Sequence, residues 1–213
     1  FTDTITGEDG QEEEVMTHFI YFVSADDGEG GQAAIQFYVE PSFVGQDENG
    51  DDIVAFPYDP PAVGSVINVQ ALAYGEYQGL NYISGSANLE VVSVENELTI
   101  IYLSEQTFLP SEEMESFVVS VTGISVVAGD TNEFGQIVSD TITVDYGAGE
   151  VQLFGSQALK DLLAANPVCA GDTLDISTGV ITQYQDIHQI RLYDAANEVT
   201  VNGGKCATYD ASN

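Results

Sequence analysis

The sequence predicts a mostly-β chain of two small domains in tandem, with one short helix in the second. Three observations predict it. A twenty-residue stretch occurs twice, as GSVINVQALAYGEYQGLNYI at 64–83 and GDTLDISTGVITQYQDIHQI at 171–190, aligned without a gap. Short alternating runs of β-branched and aromatic residues recur along the chain. Helical spacing occurs in one place only, Ser156–Ala165.

The repeat carries the argument because its side-chain period is that of a strand. Ile67, Val69, Ala71 and Ala73 share one face of the first copy, and Leu174, Ile176, Thr178 and Val180 share the matching face of the second. Asn68 and Gln70, or Asp175 and Ser177, occupy the other face. Each copy breaks at a polar turn (Gln78-Gly79, Gln185-Asp186) and resumes as a return strand. The unit is a duplicated β-hairpin.

In chain order, residues 1–14 form an acidic arm ending in three glutamates, Glu12 to Glu14. Within it, residues 1–6, with Phe1 and Ile5, show the alternation of a short strand without an evident partner. Strands follow at 18–24 and 34–40, separated by a Gly-acidic loop. A third begins near Ser42 and reaches Asn49-Gly50, a dipeptide suited to a two-residue hairpin because both turn positions need positive φ. Such a turn sets Glu48 opposite Asp51 and Asp47 opposite Asp52, and facing like charges are unfavourable. The order Asp47-x-Asn49-x-Asp51 also echoes the start of calcium loops, although Gly50 is out of register with an EF-hand and no helix flanks it. Asp47, Asn49, Asp51 and Asp52 are therefore either Ca²⁺ ligands or a solvated acidic tip. A Pro-rich connector at 56–61 leads into the first repeat, and strands at 88–94 and 98–103 follow it. The first domain is then 15–104, and residues 105–115, with Pro110 and four Glu, are the linker.

The second domain, 116–213, opens on a long strand (116–127) whose mid-point Gly123 marks a bulge. The next turn offers Asp130 and Asn132 as a second calcium candidate. Another strand covers 136–146. In the helix, Ser156 is the expected cap, Ala158, Leu159, Leu162 and Leu163 form the apolar face, and Asn166-Pro167 ends it.

A glycine, an alternating strand, a Tyr-Gln turn and a return strand resemble the oligonucleotide/oligosaccharide-binding (OB) barrels of secreted bacterial proteins, such as those appended to extracellular endonucleases. The resemblance covers roughly forty residues per half and carries no catalytic residue. It implies two OB-like Greek-key barrels in tandem, with the helix placed before the glycine-led strand. In the first half the Pro-rich connector stands where that helix would be. The chain has no room for a nuclease domain beside two barrels.

Charge narrows function. The 213 residues hold 35 Asp and Glu against three Lys and Arg, a net charge of −32, with no Lys or Arg in 1–159. Self-repulsion on that scale destabilises a compact chain unless ions screen it. The carboxylates fit a surface adapted to salty water, ligation of divalent cations, or both. A phosphate backbone is excluded as a partner, because binding one depends on Lys and Arg. Apolar content of 44% still permits a globular core.

Cys169 and Cys206 flank the second hairpin without a CxxC pattern and are expected to form a disulfide, which implies an oxidising compartment. The sequence begins at Phe1 without Met, as after removal of a signal peptide, and no apolar run reaches membrane-spanning length. A secreted or cell-surface protein is expected. Two histidines in separate halves, His18 and His188, build no catalytic set. The expected function is a non-catalytic structural or assembly subunit, with a ligand-binding module for glycans or peptides as the alternative. Tyr74, Tyr77 and Tyr184 are candidates for a stacking platform in that alternative, or else cover the barrel ends. Because all three cations lie in the second half, a head-to-tail polymer is expected, with Arg191 or Lys205 meeting a neighbour's carboxylates and the strand of Phe1 and Ile5 adding to its sheet.

Overall fold

The computed structural model describes residues 2–6, 12–16, 19–26, 32–46, 50, 52–56, 58–106, 109–202 and 206. It divides into two units. The first takes in Phe1–Val23, Ile35–Tyr77 and Asn81–Leu98. The second takes in Ser24–Ala34, Gln78–Leu80 and Thr99–Asn213. The strands of the first half are β1 (Thr2–Thr6), β2 (Glu12–Met16), β3 (Phe19–Asp26), β4 (Gln32–Val39), β5 (Ser42–Gln46), β6 (Asp52–Ala55), β7 (Val66–Tyr77) and β8 (Leu80–Ser93). Those of the second half are β9 (Ile100–Tyr102), β10 (Val118–Ala128), β11 (Thr141–Asp145), β12 (Glu150–Phe154), β13 (Thr173–Tyr184), β14 (Ile187–Arg191) and β15 (Val199–Val201). Helix α1 (Ser156–Ala165) precedes β13, and a single-turn α2 (Ala195–Glu198) precedes β15.

The second unit is a closed five-stranded barrel. Its strands run β10-β11-β12-β14-β13, and β13 pairs back onto β10 to shut it. All of these pairings are antiparallel except β12–β14, which is parallel. A barrel in which the helix falls between the third and fourth strands, and the fifth lies beside the third, has OB-like topology. Closure needs a sharply coiled first strand, and Gly123 supplies the bend. Its φ is +66°, and the β10–β13 register shifts between Val121 and Ile124. Asp175 Oδ1 accepts the Gly123 N–H at 2.6 Å and holds the bulge in place.

Alternation fills this barrel from every strand. Val119, Val121, Ile124 and Val126 of β10 meet Leu174 and Ile176 of β13, Ile142 and Val144 of β11, and Leu153 of β12, all buried. Leu159 and Leu163 of α1 close one end. The helix is entered from Gly155, and Ser156 is its first residue at φ +47°, with no side-chain cap bond. The expected Ser156 cap is therefore absent, because the chain already turns at the glycine.

The expected linker, 105–115, falls within the range Thr99–Asn213 of the second unit. Leu103 and Met114, at the two short 3-10 turns Leu103–Glu105 and Glu112–Met114, belong to the second core. β9 adds to β10 in parallel, and the longest segment of the second unit begins at Thr99.

The first unit repeats the plan incompletely. Its four-stranded sheet runs β3-β4-β8-β7, and β4–β8 is parallel as β12–β14 is. The two copies of the repeat become the hairpins β7–β8 and β13–β14, with positive φ at Gly64 and Gly171 ahead of them and at Gln78 and Gln185 in their turns. β4 therefore stands where β12 does and β3 where β11 does. Among the described residues no strand takes the place of β10. The sheet remains a half-barrel, with buried Phe37 and Val39 packed by partly buried Tyr21, Val23, Val69 and Ile83. β5–β6 forms a separate hairpin at the place of the helix, and β1–β2 another.

Candidate functional site

The residues singled out in the sequence do not converge. Asp47, Asn49 and Asp51 lie outside the described residues, as do Phe1, His18 and Lys205. Asp52 opens β6 and faces Gln46, not Asp47, because β5 and β6 are joined by more than two residues. In the 130–137 turn, Asn132 is committed internally. Its Oδ1 accepts the N–H groups of Phe134 (3.0 Å) and Gln136 (3.1 Å), and its amide donates to Gln136 Oε1 at 2.9 Å. Asp130 is exposed beside it, and its carbonyl accepts the Val138 N–H. Among the described residues no three His, Cys, Asp or Glu are gathered as a cation would need.

Two of the three cations are engaged within the second unit. Lys160 Nζ is 3.2 Å from Asp140 Oδ2. The Arg191 guanidinium lies between two rings, 5.3 Å from the Phe154 centroid and 5.0 Å from that of Tyr193. Burial pushes the Tyr193 phenol up to about 12, with Arg191 pulling the other way. His188 Nε2 stands 3.4 Å from Oε1 of the buried Glu115. Cys169 and Cys206 are bonded, their Cα atoms 5.4 Å apart, tying the segment before β13 to the segment after β15. Ile5 lies on β1, which does have a partner in its own chain. β1 pairs with β2 from Thr2↔Met16 to Thr6↔Glu12.

What stands out is the uncovered side of the first unit. In the second unit Ile181 is fully buried, and its backbone bonds to Ser116 and Phe117, just ahead of and leading into β10. Its counterpart in the first copy, Tyr74, is 70% exposed, and Leu72 beside it is 68% exposed. Val66, Val91, Val92 and Val94 are also exposed. In the closed barrel the counterpart of Tyr74 is covered by Ser116 and Phe117, which lead into β10. The edges of β3 and β7 carry no further strand among the described residues.

On the outer face of the same sheet, Gln36, Tyr38, Tyr77 and Tyr82 line a cavity of about 280 Å³. Gln36 and Tyr38 alternate with the buried Phe37 and Val39, and Gln36 is paired with Tyr82 across the parallel register. Gly75 makes room for the Tyr82 ring, since a Cβ there would come within 2.6 Å of it. The Tyr38 hydroxyl donates to Glu40, and burial together with the Glu40 charge pushes its pKa upward. Of these, sequence reading named only Tyr77. A strand at 34–40 is legible in the sequence, but which of its faces lies outward is not. Tyr74 points its hydroxyl at Asn81 Oδ1, 2.5 Å away, and does not line the cavity. Tyr184 belongs to the second unit and is half-exposed there.

The chain is thus a mostly-β protein of two barrel-like sheets, the second a closed barrel of OB-like topology. No protein family matches it, and no curated protein does. Among solved structures, the crystal structure of the tetrameric p202 HIN2 is similar over 84% of this chain and 86% of its own, at 11% identity and a TM-score of 0.28.

Proposed function

We propose that this chain is a non-catalytic structural subunit of the cell exterior that self-associates into a filament, coat or matrix in the presence of salt or bridging divalent cations. The observation that carries the reading is the half-barrel. Among the described residues its terminal strands β3 and β7 are edges, and β7 is twelve residues long. β7 has none of the usual edge defences: no Lys, no Pro, and the single carboxylate Glu76. A long apolar edge of this kind is a template for another strand. The Cys169–Cys206 bond and the −32 charge support an oxidising, salty exterior.

Sedimentation velocity and negative-stain images at rising protein concentration, in molar salt with and without calcium, test it. Polymers are expected, and Leu72→Lys with Tyr74→Lys should disperse them by charging the edge. A chain that stays monomeric under all these conditions removes the reading. The tyrosine-lined cavity favours a second reading, a ligand-binding module in which a sugar ring or peptide side chain stacks on Tyr77 and Tyr82. That reading predicts saturable binding lost on Tyr82→Ala, with the protein dispersed.

A further inference from the structure

We infer that β1 is the displaced first strand of the first barrel, and that β1 of a second copy fills the slot between β3 and β7. The inference rests on the assembly reading and names its partner. Three observations lead to it.

The first is the matched topology. In the closed barrel β10 lies between β11 and β13. β11 and β13 correspond to β3 and β7, which are the two edge strands of the half-barrel among the described residues. The second is chain length. In the second unit β10 is joined to β11 by residues 129–140, and in the first β1 is joined to β3 by residues 7–18, twelve residues in each case. β1 thus stands in the sequence where β10 stands, with the same tether. The third is that β1 is outside that slot in this structure and pairs with β2 instead. An isolated two-stranded hairpin is marginal in water, so this pairing is one that a five-strand barrel can displace.

Charge selects β1 over β2 as the occupant. β1 brings a single carboxylate, Asp3, whereas β2 brings Glu12, Glu13 and Glu14 in succession, so either face of β2 would carry charge into the barrel. An element that leaves its own barrel on a twelve-residue tether can enter an identical slot in another copy. Its contacts there are those it would make at home, which makes exchange a low-cost route to association. Each copy then gives a strand to one neighbour and takes one from another. The contact joins dissimilar surfaces, and repeated without closure it builds a filament.

The test places one cysteine in β1 (Thr4→Cys) and one in β7 (Leu72→Cys) of the full chain. A short bismaleimide is then added, which leaves the oxidised Cys169–Cys206 pair untouched. A ladder of covalent oligomers on denaturing gels is expected. A cross-linked monomer alone would mean that β1 closes its own barrel, and no cross-link would mean that the slot belongs to something else. Either result overturns the inference. Deleting residues 1–6 separates its failure from that of the assembly reading. Loss of polymer is expected, and adding the β1–β2 segment as a peptide should not restore it, because the peptide fills the slot without linking one copy to the next. Polymers that persist without residues 1–6 overturn the exchange while leaving self-association standing, and a wild-type chain that never polymerises overturns both.

Discussion

At the scale of single residues, the second unit is held by a few side chains whose roles can be measured separately. Cys169–Cys206 closes a loop of 37 residues in sequence separation. Cys169→Ser should therefore lower unfolding stability by about 2–4 kcal/mol, read from the denaturant midpoint. Tyr193 is a different case, because its effect appears only in alkali. Its folded pKa of about 12 lies above the ordinary 10.0, so the folded state holds the phenol proton more tightly than the unfolded chain does. The resulting stability is fully present below pH 10 and is lost as pH rises towards about 12. Tyr193→Phe should flatten that part of the pH–stability profile relative to wild type, as followed by chemical denaturation at each pH. If both profiles fall alike, the phenol is not held as described.

At the scale of elements, the contrast between β10 and the vacant position in the first unit explains most of the difference between the two halves. β10 bends at Gly123 so that it can pair with β11 and β13 and bury its alternate residues. Gly123→Val keeps open space around the new side chain, since nothing lies within 4 Å of a Cβ there, but sets a β-branched residue at φ +66°. The expected cost is about 1–2 kcal/mol, seen as a lower midpoint for the second unit only. Among the described residues no strand covers the equivalent hairpin β7–β8 in this way. The face that buries Leu174 and Ile176 in the second copy leaves Ile67 and Val69 only partly buried and Ala71 and Ala73 exposed in the first.

At the scale of the whole molecule, the governing quantity is −32 charges on 213 residues. Among the described residues Lys160 and Arg191 are each engaged in their own unit, so neither stands ready to neutralise a neighbour's surface. Screening must then come from solution. The melting temperature should rise steeply between about 0.1 M and about 2 M NaCl as the Debye length contracts. At fixed high ionic strength, a further fall on adding chelator would show specific Ca²⁺ binding, and its loss on Asp52→Asn would assign it to the acidic tip of Asp47, Asn49, Asp51 and Asp52. No change would leave those carboxylates as solvated surface.

Sequence alone determined the local and periodic features: the duplicated hairpins, the Gly123 bulge, the helix at Ser156–Ala165 and the cysteine pair. Each depends on residues near one another in the chain or, for the cysteines, on there being only one possible pairing. Tertiary structure decided what depends on distant partners. It brought Leu103 and Met114 into the second core, set Arg191 between Phe154 and Tyr193, and committed Asn132 to its own turn. It brought Gln36 and Tyr38 beside Tyr82, across more than forty residues. Among the described residues it also left the first sheet without a strand in the place of the one that closes the second. Side-chain alternation tells which residues share a face, but a face is buried only when another strand arrives to cover it, and that arrival is a long-range event.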